Sequence, residues 1–259
     1  MSRVLSALAL LPIVIGIIWF LPPIGTVVLA HVIVLVAFWE YADLAARSGA
    51  PFPKAIPAVA ALGTCAAFSL APSAVPVVLM GALVAIATVH LAQGRSRDTL
   101  ASVSAAIFGV VYLAVPIGAI ASLRVTAGAE VALLLLFTVM ASDTMQYYGG
   151  RLFGRRPLAA VSPKKTVEGA VFGLAAGILV LWLGGRWWLA DTAPVLRILL
   201  GAAVAGLGIA GDLFESTLKR IASVKDASSL IPGHGGILDR VDGLLFAAPV
   251  YYTVLQFAR

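Results

Sequence analysis

The stretch "LASVSAAIFGVVYLAVPIGAIASL", Leu100–Leu123, runs for 24 residues without a charged side chain. The hydrocarbon core of a bilayer is about 30 Å thick and takes roughly 20 apolar residues of helix to cross. Leu100–Leu123 is long enough. Its apolar residues are continuous, not alternating, which speaks against a barrel strand. Backbone N–H and C=O groups must be paired inside lipid, so a helix is the form that remains. The rest of the chain has the same character. Its 259 residues are 61% hydrophobic and 12% charged, against about 25% charged in a soluble domain. So few charges could not cover a globule of this size with polar surface. The sequence predicts an all-α, polytopic integral membrane protein.

Nine candidate spans can be read along it: about Val4–Leu21, Gly25–Trp39, Ala55–Leu70, Val75–Ala92, Leu100–Leu123, Val131–Tyr148, Val167–Leu189, Leu196–Phe214 and Gly243–Phe257. The second and third are short. Arg3 followed by an apolar run looks like a secretion signal. However, no Ala-x-Ala cleavage site follows that run, and Pro22–Pro23 leads into further apolar sequence, so a retained first span is expected. Nine spans put the two termini on opposite sides. With the N-terminus inside, 14 of the 18 Lys and Arg fall in cytoplasmic segments, leaving Arg124, Arg186, Arg197 and Arg259 outside. Basic residues are retained on the cytoplasmic side. The expectation is therefore a multi-pass protein of the inner (cytoplasmic) membrane with its N-terminus inside. The formal charge of +6 follows from topology and from anionic headgroups, and calls for no nucleic acid. Cys65, the single cysteine, cannot form an internal disulfide and reads as a small core residue.

Two cytoplasmic segments are richer than connectors need to be. They are "SDTMQYYGGRLFGRRPLAAVSPKKTVEG", Ser142–Gly169, and "GDLFESTLKRIASVKDASSLIPGHGGILDRVDG", Gly211–Gly243. Two spans separate them, so they emerge on one face and could build one site. Residues 1–130 then read as N-terminal transmembrane helices with short loops and little chemistry. Residues 131–259 read as the C-terminal transmembrane catalytic region. Of twelve Asp and Glu, seven lie in these segments: Asp143, Glu168, Asp212, Glu215, Asp226, Asp239 and Asp242. Acids in apolar helical sequence are costly, so function is the default reading. Carboxylates beside Lys, Arg and Gly suggest a metal with phosphate. Mg²⁺ takes hard oxygen ligands, usually one or two carboxylates plus substrate phosphates. Asp239 and Asp242 stand at i, i+3 and share a helical face. Asp212 near the end of span eight completes the expected metal set of Asp212, Asp239 and Asp242. Gly233, Gly235 and Gly236 surround His234 just before that helix, where backbone N–H groups can meet an anion. No G-x-x-x-x-G-K-[ST], H-E-x-x-H or G-x-S-x-G pattern occurs, which excludes a P-loop, that type of zinc site and a serine elbow.

The run "STLKRIASVKDASSLIPGHGGILDRVD", Ser216–Asp242, resembles the signature of the phosphatidate cytidylyltransferases, or CDP-diacylglycerol synthases. It carries Ser216, Lys219, Arg220, Lys225, Asp226, His234, Gly235, Gly236, Asp239, Arg240 and Asp242 at the family's spacing. The earlier Ser-Pro-Lys-Lys-Thr-x-Glu-Gly run, Ser162–Gly169, is similar to the family as well. The specific resemblance covers roughly the C-terminal half. It implies transfer of CMP from CTP to phosphatidate, with release of pyrophosphate, in phospholipid biosynthesis. It implies Mg²⁺, with two metals, and a monovalent cation such as K⁺. Under it, Asp212, Asp239, Asp242, Lys219, Arg220 and His234 are catalytic. Asp143, Ser162, Lys164, Lys165, Thr166, Glu168, Ser216, Lys225, Asp226, Gly235, Gly236 and Arg240 are substrate-binding. The attacking phosphate is already ionised, so His234 serves either as a base or as an organiser of its loop. The implied partners are CTP, phosphatidate and membrane lipid.

Other features carry plainer readings. His31 and His90 sit in apolar spans as structural residues, and Trp187–Trp188 belong to an interfacial belt. Gly169, Gly173 and Gly177, four apart, make a close-packing face for another helix, within one chain or across a homodimer. Arg151, Arg155 and Arg156 bind phosphate or enforce topology. Two other functions fit parts of the pattern. In a secondary transporter the acids would be ion sites, although such sites lie near the midplane between repeated halves. A cytidylyltransferase could also act on an isoprenoid ether lipid.

Overall fold

The computed structural model describes residues 2–94, 98–230 and 235–257, with side chains from Leu10 onward. Among these residues nine α-helices form: α1 (Ser2–Phe20), α2 (Pro23–Arg47), α3 (Ala55–Leu70), α4 (Val75–Ala92), α5 (Thr99–Thr126), α6 (Ala129–Phe153), α7 (Val167–Trp188), α8 (Pro194–Ile221) and α9 (Leu238–Phe257). No strand forms among the described residues, and the isolated bridge of Pro157 with Thr166 is a loop contact. Among the described residues, six helical stretches are long and apolar enough to cross a bilayer: α2, the run Pro72–Ala92 that ends in α4, α5, α6, α7 and α8. Helix α3, with 16 residues, reaches only ~24 Å. Helix α9 opens with Asp239, Arg240 and Asp242 before its apolar part. Large apolar side chains point outward, among them Val77, Met80, Leu83, Val84 and Leu91 on α4. Exposed apolar surface of that extent is what a lipid solvent tolerates and water does not.

Three helices run further than their apolar stretches. The second span does not stop at Trp39, because α2 continues through Glu40 and Asp43 to Arg47. Similarly, α6 passes Tyr148 to reach Phe153, and α8 passes Phe214 to reach Ile221. Hydropathy falls at these points, but helix propensity does not. Residues such as Glu, Leu, Ala, Lys and Arg continue a helix at little cost. Asp143 and Asp212 consequently lie inside their helices. Asp212 does not close span eight, as the apolar run alone suggests.

Contacts divide the chain into two compact units. One holds residues 1–125 and 218–240, and the other holds 126–217 and 241–259. In the first unit, Phe38, Tyr41, Phe52, Phe108 and Tyr112 form an aromatic cluster. The Tyr41 hydroxyl donates to the Ala105 carbonyl at 2.9 Å. The Arg124 guanidinium donates to the carbonyls of Ile18, at 2.7 Å, and Leu21, at 3.0 Å, securing the end of α1.

In the second unit, the glycine stripe of α7 finds its partners within the chain. A Cβ on Gly169 would stand 2.6 Å from the Gln146 carbonyl oxygen, one on Gly173 2.8 Å from that of Ser142, and one on Gly177 2.6 Å from Ala205 Cβ. The stripe therefore seats α7 on α6 and α8. That leaves no need for a second copy to explain it.

Candidate active site

The first polar segment closes into a tight loop between α6 and α7. The Leu158 amide donates to the Lys165 carbonyl at 2.7 Å, and the Val167 amide to Arg156 at 2.9 Å. Ser162 and Lys165 form a turn, the Lys165 amide donating to the Ser162 carbonyl at 3.0 Å. Thr166 caps α7, its hydroxyl accepting from the Gly169 amide at 3.1 Å. Such a cap satisfies one of the unpaired amides of a helix start. The Glu168 carboxylate reaches back and accepts from the Arg155 and Arg156 amides at 2.9 and 3.2 Å. Thr166 and Glu168 thus hold the loop that carries Lys164 and Lys165. Lys164 is exposed, whereas Lys165 turns inward and its ammonium pairs with the Asp212 carboxylate.

Around Asp212 lie two more acids. Carboxylate oxygens of Asp212, Glu215 and Asp242 gather within 4.8 Å of one another. Asp212 and Glu215 are three apart on α8, so they share a face. Asp242 joins them because α8 and α9 approach very closely here. A Cβ on Gly211 would stand 2.5 Å from the Asp242 carbonyl oxygen. Glu215 is fully buried. Three carboxylates this close repel one another, and positive charge beside them relieves that repulsion. Lys165 supplies part of it. Hard oxygen donors in such a group fit a hard divalent cation.

The second polar segment is folded around two other carboxylates in the first unit. One Asp239 oxygen takes the Lys219 ammonium at 2.5 Å. The other accepts from the Ala227 and Gly236 amides at 2.9 and 2.7 Å. Glu40 of α2 takes the rest. One of its oxygens accepts from the Ser228 hydroxyl at 2.6 Å and the Ile237 amide at 3.1 Å, and the other from the Leu238 amide at 2.7 Å. Gly235 has φ of +76°, a backbone conformation that glycine adopts without cost. A Cβ on Gly236 would stand 2.4 Å from a Glu40 oxygen.

A profile of the cytidylyltransferase family matches residues 1–258. The chain belongs to the cytidylyltransferase family. It is similar to the phosphatidate cytidylyltransferase of Pseudomonas aeruginosa, with 32% identity over 99% of this chain and 97% of that protein. It is also similar to proteins of that name from Helicobacter pylori, at 40% identity over 50% of this chain and 48% of the relative, and Synechocystis, at 45% over 49% and 44%. The matched part thus spans less than half the length of the latter two relatives.

Within this cytidylyltransferase-family chain the expected site residues separate into groups. Asp212 and Asp242 come together, with Lys165 on Asp212. Asp239 is engaged instead by Lys219 and two amides. Ser216 is buried one position after Glu215. Asp143 is exposed on α6, as are Lys225, Asp226 and Arg240 in the second segment. The Arg220 guanidinium donates to the Val224 carbonyl at 3.1 Å, closing the end of α8. His234 and Gly233 lie outside the described residues. Two acids were not among the expected site residues. Glu215 could have been found by the same i, i+3 rule that paired Asp239 with Asp242. Glu40 brings a residue of the N-terminal half onto the second polar segment, and an acid directly after the apolar run Gly25–Trp39 was its signal.

Proposed function

We propose that the protein transfers CMP from CTP to phosphatidate, giving CDP-diacylglycerol and pyrophosphate, as a step of membrane phospholipid biosynthesis. One observation carries the reading. Lys165, from the first polar segment, meets Asp212 of the second beside Glu215 and Asp242. A cation-binding carboxylate group and a phosphate-binding lysine loop thereby form one place. Membership of the family and the similarity to phosphatidate cytidylyltransferases support the same reaction.

In that reaction a phosphatidate phosphate oxygen attacks the α-phosphorus of CTP. The new P–O bond forms as the bond to the β-phosphate bridging oxygen breaks, and pyrophosphate leaves. The nucleophile arrives ionised, so positioning and charge neutralisation dominate over proton transfer. Lys164 and Lys165 bind the triphosphate, with Thr166 and Glu168 holding their loop. Asp212, Glu215 and Asp242 would hold Mg²⁺. When bound, the ion supplies charge neutralisation and polarises phosphoryl oxygens. Asp239 orients Lys219 and fixes the glycine segment through Ala227 and Gly236.

The same proposal places the chain in the inner membrane with nine spans, the N-terminus and both polar segments cytoplasmic. The nine helices and the 14-to-4 division of basic residues support it, since both substrates can then reach the site from the cytosolic face.

Purified protein in mixed micelles, given labelled CTP with either phosphatidate or an isoprenoid ether lipid phosphate, tests the reading. Label should enter lipid with phosphatidate, one pyrophosphate appearing per lipid made. Incorporation with the ether lipid alone would reassign the substrate. No incorporation with either would remove the transferase reading.

A further inference from the structure

Glu40 stands apart from every motif that carries the proposed reaction, yet it is buried, at 6% exposure, against one of them. Its three donors come from both sides of the second polar segment. The Ser228 hydroxyl lies on one side, and the Ile237 and Leu238 amides on the other. Ile237 and Leu238 lead into α9, whose first amides have no partner within the helix. A carboxylate at a helix start is also favoured by the helix dipole. Glu40 therefore does for α9 what an N-cap residue does, but from a helix nearly 200 positions earlier in the chain.

The neighbouring contacts make the arrangement specific. The Gly236 amide donates to Asp239 at 2.7 Å, while the Cα of Gly236 faces Glu40 too closely for any side chain. Glu40 and Asp239 thus grip the same short backbone from two directions. Asp239 in turn carries Lys219. Loss of the Glu40 grip would let Gly236–Leu238 drift, and with it the pairing of Asp239 and Lys219.

We propose that Glu40 is a positioning residue for the cytidylyl transfer: from α2 it anchors Ser228 and the start of α9, and so sets the geometry of Asp239 and Lys219. The inference rests on the transferase reading for its kinetic consequence, but not for its structural one.

The test uses the full-length protein in nanodiscs, with Glu40→Gln, Glu40→Asp and Ser228→Ala. In either orientation of Glu40→Gln the amide nitrogen faces a backbone N–H, of Ile237 or Leu238, that an oxygen accepted from before, so one contact is lost at almost unchanged volume. A misplaced catalytic geometry costs turnover, not substrate affinity. Glu40→Gln should lower kcat by about tenfold or more with KM for CTP within about twofold, and Glu40→Asp should recover part of the loss. Ser228→Ala, which leaves both backbone contacts, should act in the same direction more weakly. Amide hydrogen exchange supplies a readout independent of activity. Protection of Gly236–Leu238 should fall in Glu40→Gln while α6 and α7 keep theirs. Unchanged exchange at Gly236–Leu238 would overturn the proposal, as would faster exchange throughout the protein with no local excess, or a loss expressed only in KM. Should the wild-type protein fail to act on phosphatidate, the transferase reading falls, and the exchange arm still decides whether Glu40 anchors this segment.

Discussion

Asp212 and Asp239 are both expected metal ligands from the sequence, but their surroundings differ. Asp212 pairs with the Lys165 ammonium, and its carboxylate lies within 4.8 Å of those of Glu215 and Asp242. Asp239 spends its oxygens on Lys219 and two amides. Substitution should separate the two roles. Asp212→Asn removes charge from a group that would hold Mg²⁺, and a metal contributes several kcal/mol of charge stabilisation. We expect turnover to drop at least about 100-fold and the Mg²⁺ concentration for half-activity to rise. In Asp239→Asn turnover should fall while the Mg²⁺ requirement stays near the wild-type value. A shifted Mg²⁺ requirement in Asp239→Asn and an unshifted one in Asp212→Asn would reverse the assignment. Chelation of divalent cations should stop the wild-type reaction and added Mg²⁺ should restore it. Turnover that persists under full chelation would remove the metal from the site.

At the scale of elements, the acid group depends on how closely α8 and α9 pass. Gly211 is the limiting point, since its missing side chain leaves room for the Asp242 carbonyl 2.5 Å from where a Cβ would stand. Gly211→Ala forces a methyl group against the Asp242 backbone, and overpacking of this kind costs about 1–3 kcal/mol. The variant should lose both thermal stability and turnover. By contrast, Gly206→Ala on the same helix has open space around it, and should be neutral or slightly stabilising. Equal behaviour of the two variants in a melting experiment would show that the helix approach does not limit packing. The helices themselves were legible in the sequence because apolar length sets them, and all nine appear within a few residues of their expected starts. Their ends were less legible. Glu40–Arg47 and Lys219–Ile221 are helical but not apolar, so hydropathy stopped short of them. That shortfall hid Glu40, because an acid placed in a loop raises no question about its partner.

For the whole molecule, orientation follows from the loops, not from packing. Cys65 is the single cysteine and is completely buried, so introduced cysteines can be labelled against a quiet background. Ser229→Cys, exposed in the second polar segment, should react with a membrane-impermeant maleimide only after the cells are opened. Asp191→Cys, exposed between α7 and α8, should react in intact cells. Labelling of Ser229→Cys from outside would invert the orientation or remove a span. The sequence by itself determined the helical class, the membrane setting and the two polar segments in which charge is concentrated, because these depend on composition, apolar length and local spacing. Only the tertiary structure decided that Asp242 joins Asp212 and Glu215, that Lys165 turns towards them, and that Glu40 holds the start of α9. Those pairings are between residues tens to hundreds of positions apart. Close helix approach at glycines and the demand of buried amides and carboxylates for partners bring them together, and neither can be read from residues adjacent in the chain.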